Sequence, residues 1–190
     1  NPILNWLRKW DVATSQDVDE FFCISEVVKR RIEKIYGREA TVIYPPVDAQ
    51  FFKLDSIPKK KDDYYLVVSA FTPYKRVDLA IEACNRLGRK LLIAGEGPLL
   101  GRYQKIAREN IHFVGPVPDS ELVNLYHHAK AIIFPQEEDF GIVPLEAQAC
   151  GTPVIALAKG GVLETVKEGV FFHDQTAEAV SQAVLEFESK

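Results

Sequence analysis

Tyr64-Tyr65-Leu66-Val67-Val68-Ser69-Ala70, then Phe71-Thr72-Pro73-Tyr74-Lys75-Arg76, then Val77-Asp78-Leu79-Ala80-Ile81-Glu82-Ala83-Cys84-Asn85-Arg86-Leu87-Gly88, is the stretch that decides the fold. Its first block is a short, nearly continuous apolar run, as expected of a strand buried on both faces. The block from Lys75 to Leu87 carries apolar residues at Val77, Ala80, Ile81, Cys84 and Leu87, which is helical spacing, and Gly88 stops it.

The same alternation continues downstream. Strands are predicted at 90–94, 111–114, 131–134, 153–157 and 170–172, with Pro153 opening one of them where no ladder donor is lost. Helices are predicted at 99–108, from an Asp119 N-cap to about Ala129, at 142–150 closed by Gly151, at 162–167 and at 176–188. A strand–helix unit repeated about six times means an α/β fold, a doubly wound, Rossmann-like parallel sheet with helices on both faces. The strands are too few for a closed eight-stranded barrel. In such a sheet, ligands sit at the carboxyl ends of strands. Functional residues are therefore expected near 70–76, 95–98, 115–119, 135–141 and 158–161.

The first 60 residues read differently. Ile3, Leu7 and Trp10 predict a short amphipathic helix. Trp6 and Trp10 are read as packing against the domain, with a membrane surface beside Arg8 and Lys9 as the alternative. Strands are expected at 21–24 and 41–44, flanking a helix capped by Ser25 and closed by Gly37. The stretch from Asp48 to Asp63 is polar and irregular, and its Lys59-Lys60-Lys61-Asp62-Asp63 run reads as a solvated loop.

The chain has 190 residues, 47% hydrophobic and 26% charged, so it can bury a core without disulfides or metal. A net charge of −4 argues against a general nucleic-acid binder. No apolar run is long enough to span a bilayer, and the Asn1-Pro2 start lacks a signal-peptide pattern. The absence of any Met is expected of a fragment or processed chain. Cys23, Cys84 and Cys150 are odd in number and far apart, which fits buried thiols in a reducing, cytoplasmic setting. His112, His127, His128 and His173 form no ligand spacing, and His127 and His128, placed mid-helix, read as structural or surface residues.

Four segments could carry chemistry. Lys75 and Arg76 are adjacent cations at a helix start, where the helix dipole disfavours them. They are either solvated surface cations or a phosphate site built with backbone amides. Glu137-Glu138-Asp139-Phe140-Gly141 precedes a helix that carries Glu146, eight positions beyond Glu138. The acids could simply complement the helix dipole. Yet Glu146 lies among Val143, Leu145, Ala147 and Ala149, so its carboxylate needs a partner or a ligand, such as a ribose diol. Gly95-Glu96-Gly97-Pro98 lacks the third glycine of the dinucleotide fingerprint, and Gly160-Gly161 is a turn or an anion nest.

Taken together, these segments resemble the C-terminal, donor-binding half of a GT-B glycosyltransferase of retaining family 4, in its mannosyltransferase-like branch. The family's E-x7-E motif matches Glu138 to Glu146, and further matches are Pro73–Ala83, Gly95–Pro98, Gly160–Val166 and Val42–Asp48. The resemblance implies residues 1–48 as the tail of an N-terminal domain and interdomain connection, and residues 49–190 as the nucleotide-sugar donor domain. It implies that Lys75, with Arg76 and the helix start at Ile142, holds the donor diphosphate. Glu138, with the backbone of Phe140 and Gly141, would contact the transferred sugar and take the catalytic position, without being named a nucleophile. Glu146 would take the ribose hydroxyls and the loop at Val117 the base. The donor implied is a nucleoside diphosphate sugar, GDP-mannose favoured, and the acceptor is open, a lipid-linked glycan being one candidate. No metal or cofactor is called for, since no DxD-like pair sits at a strand end. The whole enzyme would be cytoplasmic, or peripheral to the inner membrane face, whereas this piece alone is expected to be inactive.

Two departures stand out. The family's Arg, about five residues before the Lys, is here Ala70, so Arg76 either substitutes or the diphosphate is held more weakly. The acceptor-binding half is also missing from the match. The rival readings are a nucleotide-sugar epimerase of the same fold, which the two matched segments argue against, and a non-catalytic nucleotide-sugar binding module. A dinucleotide oxidoreductase is disfavoured for want of a full glycine fingerprint.

Overall fold

A computed structural model describes residues 1–53 and 61–190, which form two compact units, Asn1–Pro46 and Val47–Lys190. The first unit contains α1 (Pro2–Thr14), β1 (Phe22–Cys23), α2 (Glu26–Tyr36) and β2 (Thr41–Val42). β1 and β2 pair in parallel, each shorter than its apolar run predicts. Ser25 caps α2 by accepting from the Val28 N–H, and Gly37 ends it in the left-handed conformation. Tyr36 donates to Asp11 at 2.9 Å, and the Arg38 guanidinium donates to the Ser15 and Val18 carbonyls, tying α1 and its exit to α2. The periodicity of α1 does produce a helix, but not a packed face. Trp6 and Trp10 are 62% and 55% exposed and no residue of α1 is buried, so packing of the tryptophans is corrected.

The second unit is the predicted parallel α/β sheet. Its strands are β3 (Tyr65–Val68), β4 (Leu91–Ala94), β5 (Ile111–Gly115), β6 (Ile132–Phe134), β7 (Val154–Leu157) and β8 (Gly169–Phe172). Its helices are α3 (Val77–Leu87), α4 (Leu100–Ile106), α5 (Asp119–His128), α6 (Ile142–Ala149), α7 (Val162–Thr165) and α8 (Ala177–Glu188). The strand order is β5-β4-β3-β6-β7-β8, with every pairing parallel. Successive β3 residues go to opposite faces: Tyr65 and Val67 join a core with α3, α4 and α8, whereas Leu66 joins one with α5, α6 and α7. Chain order runs outward in both directions from β3 and β6, so a crevice opens beyond the carboxyl ends of these two strands.

Several local expectations are corrected. The helix predicted from Lys75 is interrupted: Pro73–Lys75 is a 3₁₀ turn, and Arg76 takes φ 49° before α3 begins at Val77. Pro118, not Asp119, occupies the cap position of α5, and no side chain caps that end. His127 and His128 lie in the last turn of α5 rather than mid-helix. His127 is buried, which lowers its basicity, and fits the structural role expected of it. Lys59 and Lys60 lie outside the described residues. Lys61 is not simply solvated, because its half-buried ammonium donates to Thr152 Oγ1 at 2.8 Å. The three cysteines are free and buried, and burial pushes the Cys84 thiol up to about 12.

At the amino ends of the strands, Glu188 from α8 joins the sheet to its helices. Arg89 donates to both its oxygens at 2.8 Å and Tyr65 donates at 2.9 Å. The Arg89 hydrogen bond holds the Glu188 carboxyl down at about 2, so it adds stability at neutral pH that is lost as pH falls from the ordinary carboxylate range toward 2. Arg89 is partly exposed, so solvent screening keeps the gain small. Arg89→Ala should cost about 1 kcal/mol at pH 7. In urea unfolding at pH 7, 4 and 3, the difference from the wild type should shrink as the pH falls.

Candidate functional site

The loop after β3 carries Ala70 and the Pro73–Arg76 turn, and the loop after β6 carries the 135–141 acidic segment. These loops face each other across the crevice and are joined by an ion pair between Lys75 Nζ and Glu138 Oε1. The two side chains are 17% and 23% exposed, so the pair is largely withdrawn from water and stronger than a surface pair. Lys75 also lies 4.9 Å above the Tyr74 ring, a cation–π contact. The two residues singled out by sequence as cation and acid thus meet directly.

Arg76 behaves differently. Its left-handed backbone turns it onto Asp78, which accepts from Nε and Nη2 at 3.2–3.3 Å. The 3₁₀ turn separates the adjacent cations, so only Lys75 reaches the acidic loop. Ala70 is exposed in the same loop.

Below Glu138, Gly141 opens α6 with no side-chain cap and no acidic residue in the first turn. The positive dipole end of α6 is therefore not neutralised by an acid within its own first turn. Ile142, 45% exposed, marks this end, while the Phe140 side chain is buried. Glu146 lies one turn further on. Its Oε2 accepts from the Tyr126 hydroxyl of α5 at 2.9 Å, which supplies the partner its apolar surroundings require. Burial raises the Glu146 carboxyl above the usual carboxylate range, the Tyr126 bond pulls it back, and Asp119 pushes it up. No described hydrogen bond links Glu146 to the Lys75–Glu138 pair. Val117, in the loop after β5, packs half-buried against the α5–α6–α7 core.

Sequence reasoning gave Tyr126 no role. Its position in α5 beside Leu122 and Val123 carries an ordinary core signal, and its acidic partner is 20 residues away. The two glycine motifs prove to be steric devices. A Cβ on Gly160 would lie 2.2 Å from the Glu138 carbonyl oxygen, and Gly161 donates its N–H to that oxygen at 2.7 Å. Together with the Glu138–Gly160 bridge, this fixes the backbone that carries the acid. Likewise a Cβ on Gly95 would lie 2.0 Å from the Ser69 carbonyl oxygen, so this glycine lets the loop after β4 close against the lysine-bearing loop.

Residues 48–190 match the family model for glycosyl transferases group 1, and the chain belongs to that family. Its fold is that of GT-B glycosyltransferases. The D-inositol 3-phosphate glycosyltransferase of Mycolicibacterium smegmatis is 29% identical over 177 residues, covering 81% of this chain and 41% of the relative. The GDP-mannose-dependent alpha-(1-6)-phosphatidylinositol monomannoside mannosyltransferase of the same organism is 32% identical over 184 residues, covering 80% and 48%. The crystal structure of Anabaena HepE in complex with UDP and glucose superposes with a TM-score of 0.81 at 18% identity, over 94% of this chain and 56% of that one. This chain thus spans less than half the length of these two curated relatives.

The glycine at 160 can be separated from an ordinary helix-end glycine. Gly88 has φ 63° and open space around its Cβ position, so Gly88→Ala should cost only the left-handed penalty of about 1 kcal/mol. Gly160→Ala adds a backbone collision and should cost about 2–4 kcal/mol, measured by urea unfolding.

Proposed function

We propose that this chain is the donor-binding part of a retaining glycosyltransferase of family 4. In this reading residues 1–48 are the tail of an acceptor-side domain with its connection, and residues 49–190 hold the donor. The observation that carries it is the Lys75–Glu138 ion pair beside the uncapped start of α6, at the point where strand order reverses. A cation and a helix N-terminus converging on one crevice suit a diphosphate.

On donor binding, Lys75 exchanges Glu138 for the diphosphate and, with the α6 amides near Ile142, stabilises negative charge as the bond to the sugar breaks. Arg76 can join it only by leaving Asp78. Glu138, released, faces the transferred sugar with the backbone of Phe140 and Gly141, where a carboxylate stabilises positive charge developing at the anomeric carbon. Glu146 accepts from the ribose hydroxyls, and the Val117 loop lies against the base. The sugar passes to an acceptor with retention at the anomeric carbon.

GDP-mannose is the donor favoured, supported by the mannosyltransferase among the relatives; the neighbour holding UDP makes the base the point to test. That relative's name, which specifies a phosphatidylinositol mannoside, also supports a lipid-linked acceptor. No described helix is long and apolar enough to cross a membrane. This chain alone is expected to bind the donor without transferring its sugar.

Lys75→Ala should weaken GDP binding by about 1.5–3 kcal/mol, the worth of a charge-assisted hydrogen bond, and leave guanosine binding unchanged. Calorimetric titration of both ligands, with UDP and uridine in parallel, measures this. Equal losses for nucleotide and nucleoside would contradict a diphosphate role for Lys75.

A further inference from the structure

Tyr126 is fully buried in α5, its ring edge-on to Phe52 with centroids 6.2 Å apart. A buried phenol must find an acceptor for its hydroxyl. Tyr126 finds it not in a backbone carbonyl of its own core but in Glu146 Oε2 on the next helix, at 2.9 Å. A glutamate on an exposed helix face would sample several rotamers. Here one oxygen is pinned, and among the described residues no hydrogen bond reaches the other, Oε1. Glu146 as a whole is only half-buried, so its carboxylate is not sealed inside the core.

We infer that Tyr126 is a positioning residue for nucleoside recognition, its hydroxyl fixing the Glu146 carboxylate in the one orientation that receives a vicinal ribose diol. This rests on the reading of Glu146 as the ribose contact. The tyrosine touches no ligand itself. It acts by removing the rotamer entropy that Glu146 would otherwise lose on binding, and by keeping the carboxylate ionised inside an apolar shell.

The second effect has a definite sign. The groups bearing on Glu146 are Tyr126 and Asp119 from α5 and, just past the C-terminal end of α6, Cys150. Lys61 lies beside Cys150. β6 and β7 meet α6 through apolar side chains, and α7 meets it through Val162 and the Thr165 carbonyl. Burial and Asp119 both favour the protonated acid, and the Tyr126 bond is the contribution that opposes them. Without that bond, Glu146 takes up its proton at higher pH, and a protonated carboxyl is a poorer acceptor for two hydroxyls.

The test is calorimetric binding to the intact chain of whichever of GDP and UDP binds tighter, and of its 2′,3′-dideoxy analogue, from pH 8 down to pH 5. Tyr126→Phe, which keeps the buried ring, should weaken the nucleotide about three- to tenfold at pH 7.5, the worth of one hydrogen bond. It should also move the acid-side loss of affinity to higher pH and leave the dideoxy analogue unaffected. Glu146→Gln should remove the ribose preference and the part of the pH dependence that the dideoxy analogue does not share, the remainder belonging to the phosphates, and adding Tyr126→Phe to it should cost nothing more.

If Glu146→Gln weakens the nucleotide but Tyr126→Phe leaves affinity and pH profile at wild-type values, the positioning role is overturned while the ribose reading stands. If Glu146→Gln is itself without effect, the ribose reading fails, and the inference with it. A Tyr126→Phe loss shared equally by the dideoxy analogue marks general loosening of the core and also overturns the inference. Should Tyr126→Phe prove unfolded by circular dichroism, Glu146→Asp supplies the second arm. Its shorter side chain leaves Tyr126 beyond reach, and it must show the same raised acid midpoint or the inference fails.

Discussion

The ion pair between Lys75 and Glu138 is the interaction on which the arrangement of the crevice depends. It joins loops that leave the two central strands of the sheet, in which chain order diverges. Taking two opposite charges partly out of water is worthwhile only when they satisfy each other. The pair therefore sets the separation of the β3 and β6 loops. In the proposed reading a diphosphate would compete with Glu138 for Lys75, since it offers more negative charge than one carboxylate does, and it would suit the positive end of α6.

Around that pair, the fold spends its apolar residues on two cores and leaves its polar chemistry to strand ends. β3, β6 and β7 are covered on both faces, with only Val68 at the end of β3 half-buried, so their side chains go to the two cores. Loop backbones are instead pressed together where side chains are missing. The glycine at 160 lets the loop after β7 bridge Glu138, and that at 95 lets the loop after β4 close against Ser69. The acid and the lysine are thus held by backbone contacts from two further loops, which is how a site on loops acquires the precision of a site on strands.

The architecture was readable because alternation of short apolar runs with helical spacing leaves few other folds open, and six parallel strands followed. The need of Glu146 for a partner was also readable, from its apolar neighbours alone. Its partner was not, since Tyr126 has the pattern of a core residue and the pairing is made between helices. Arg76 shows a second limit: two adjacent cations read as one cluster, but a 3₁₀ turn and a left-handed residue send them to different acids. Trp6 and Trp10 show a third. Periodicity predicts that a helix has an apolar face, not that the described residues cover it.

The most direct measurement is a crystal structure of this chain with GDP bound. The diphosphate is expected in the crevice beyond β3 and β6, with a phosphate oxygen about 3 Å from Lys75 Nζ. Lys75 should be parted from Glu138, and the ribose hydroxyls should lie on Glu146. A nucleotide seated elsewhere, or seated there with the Lys75–Glu138 pair intact and its phosphates turned away from α6, would contradict it.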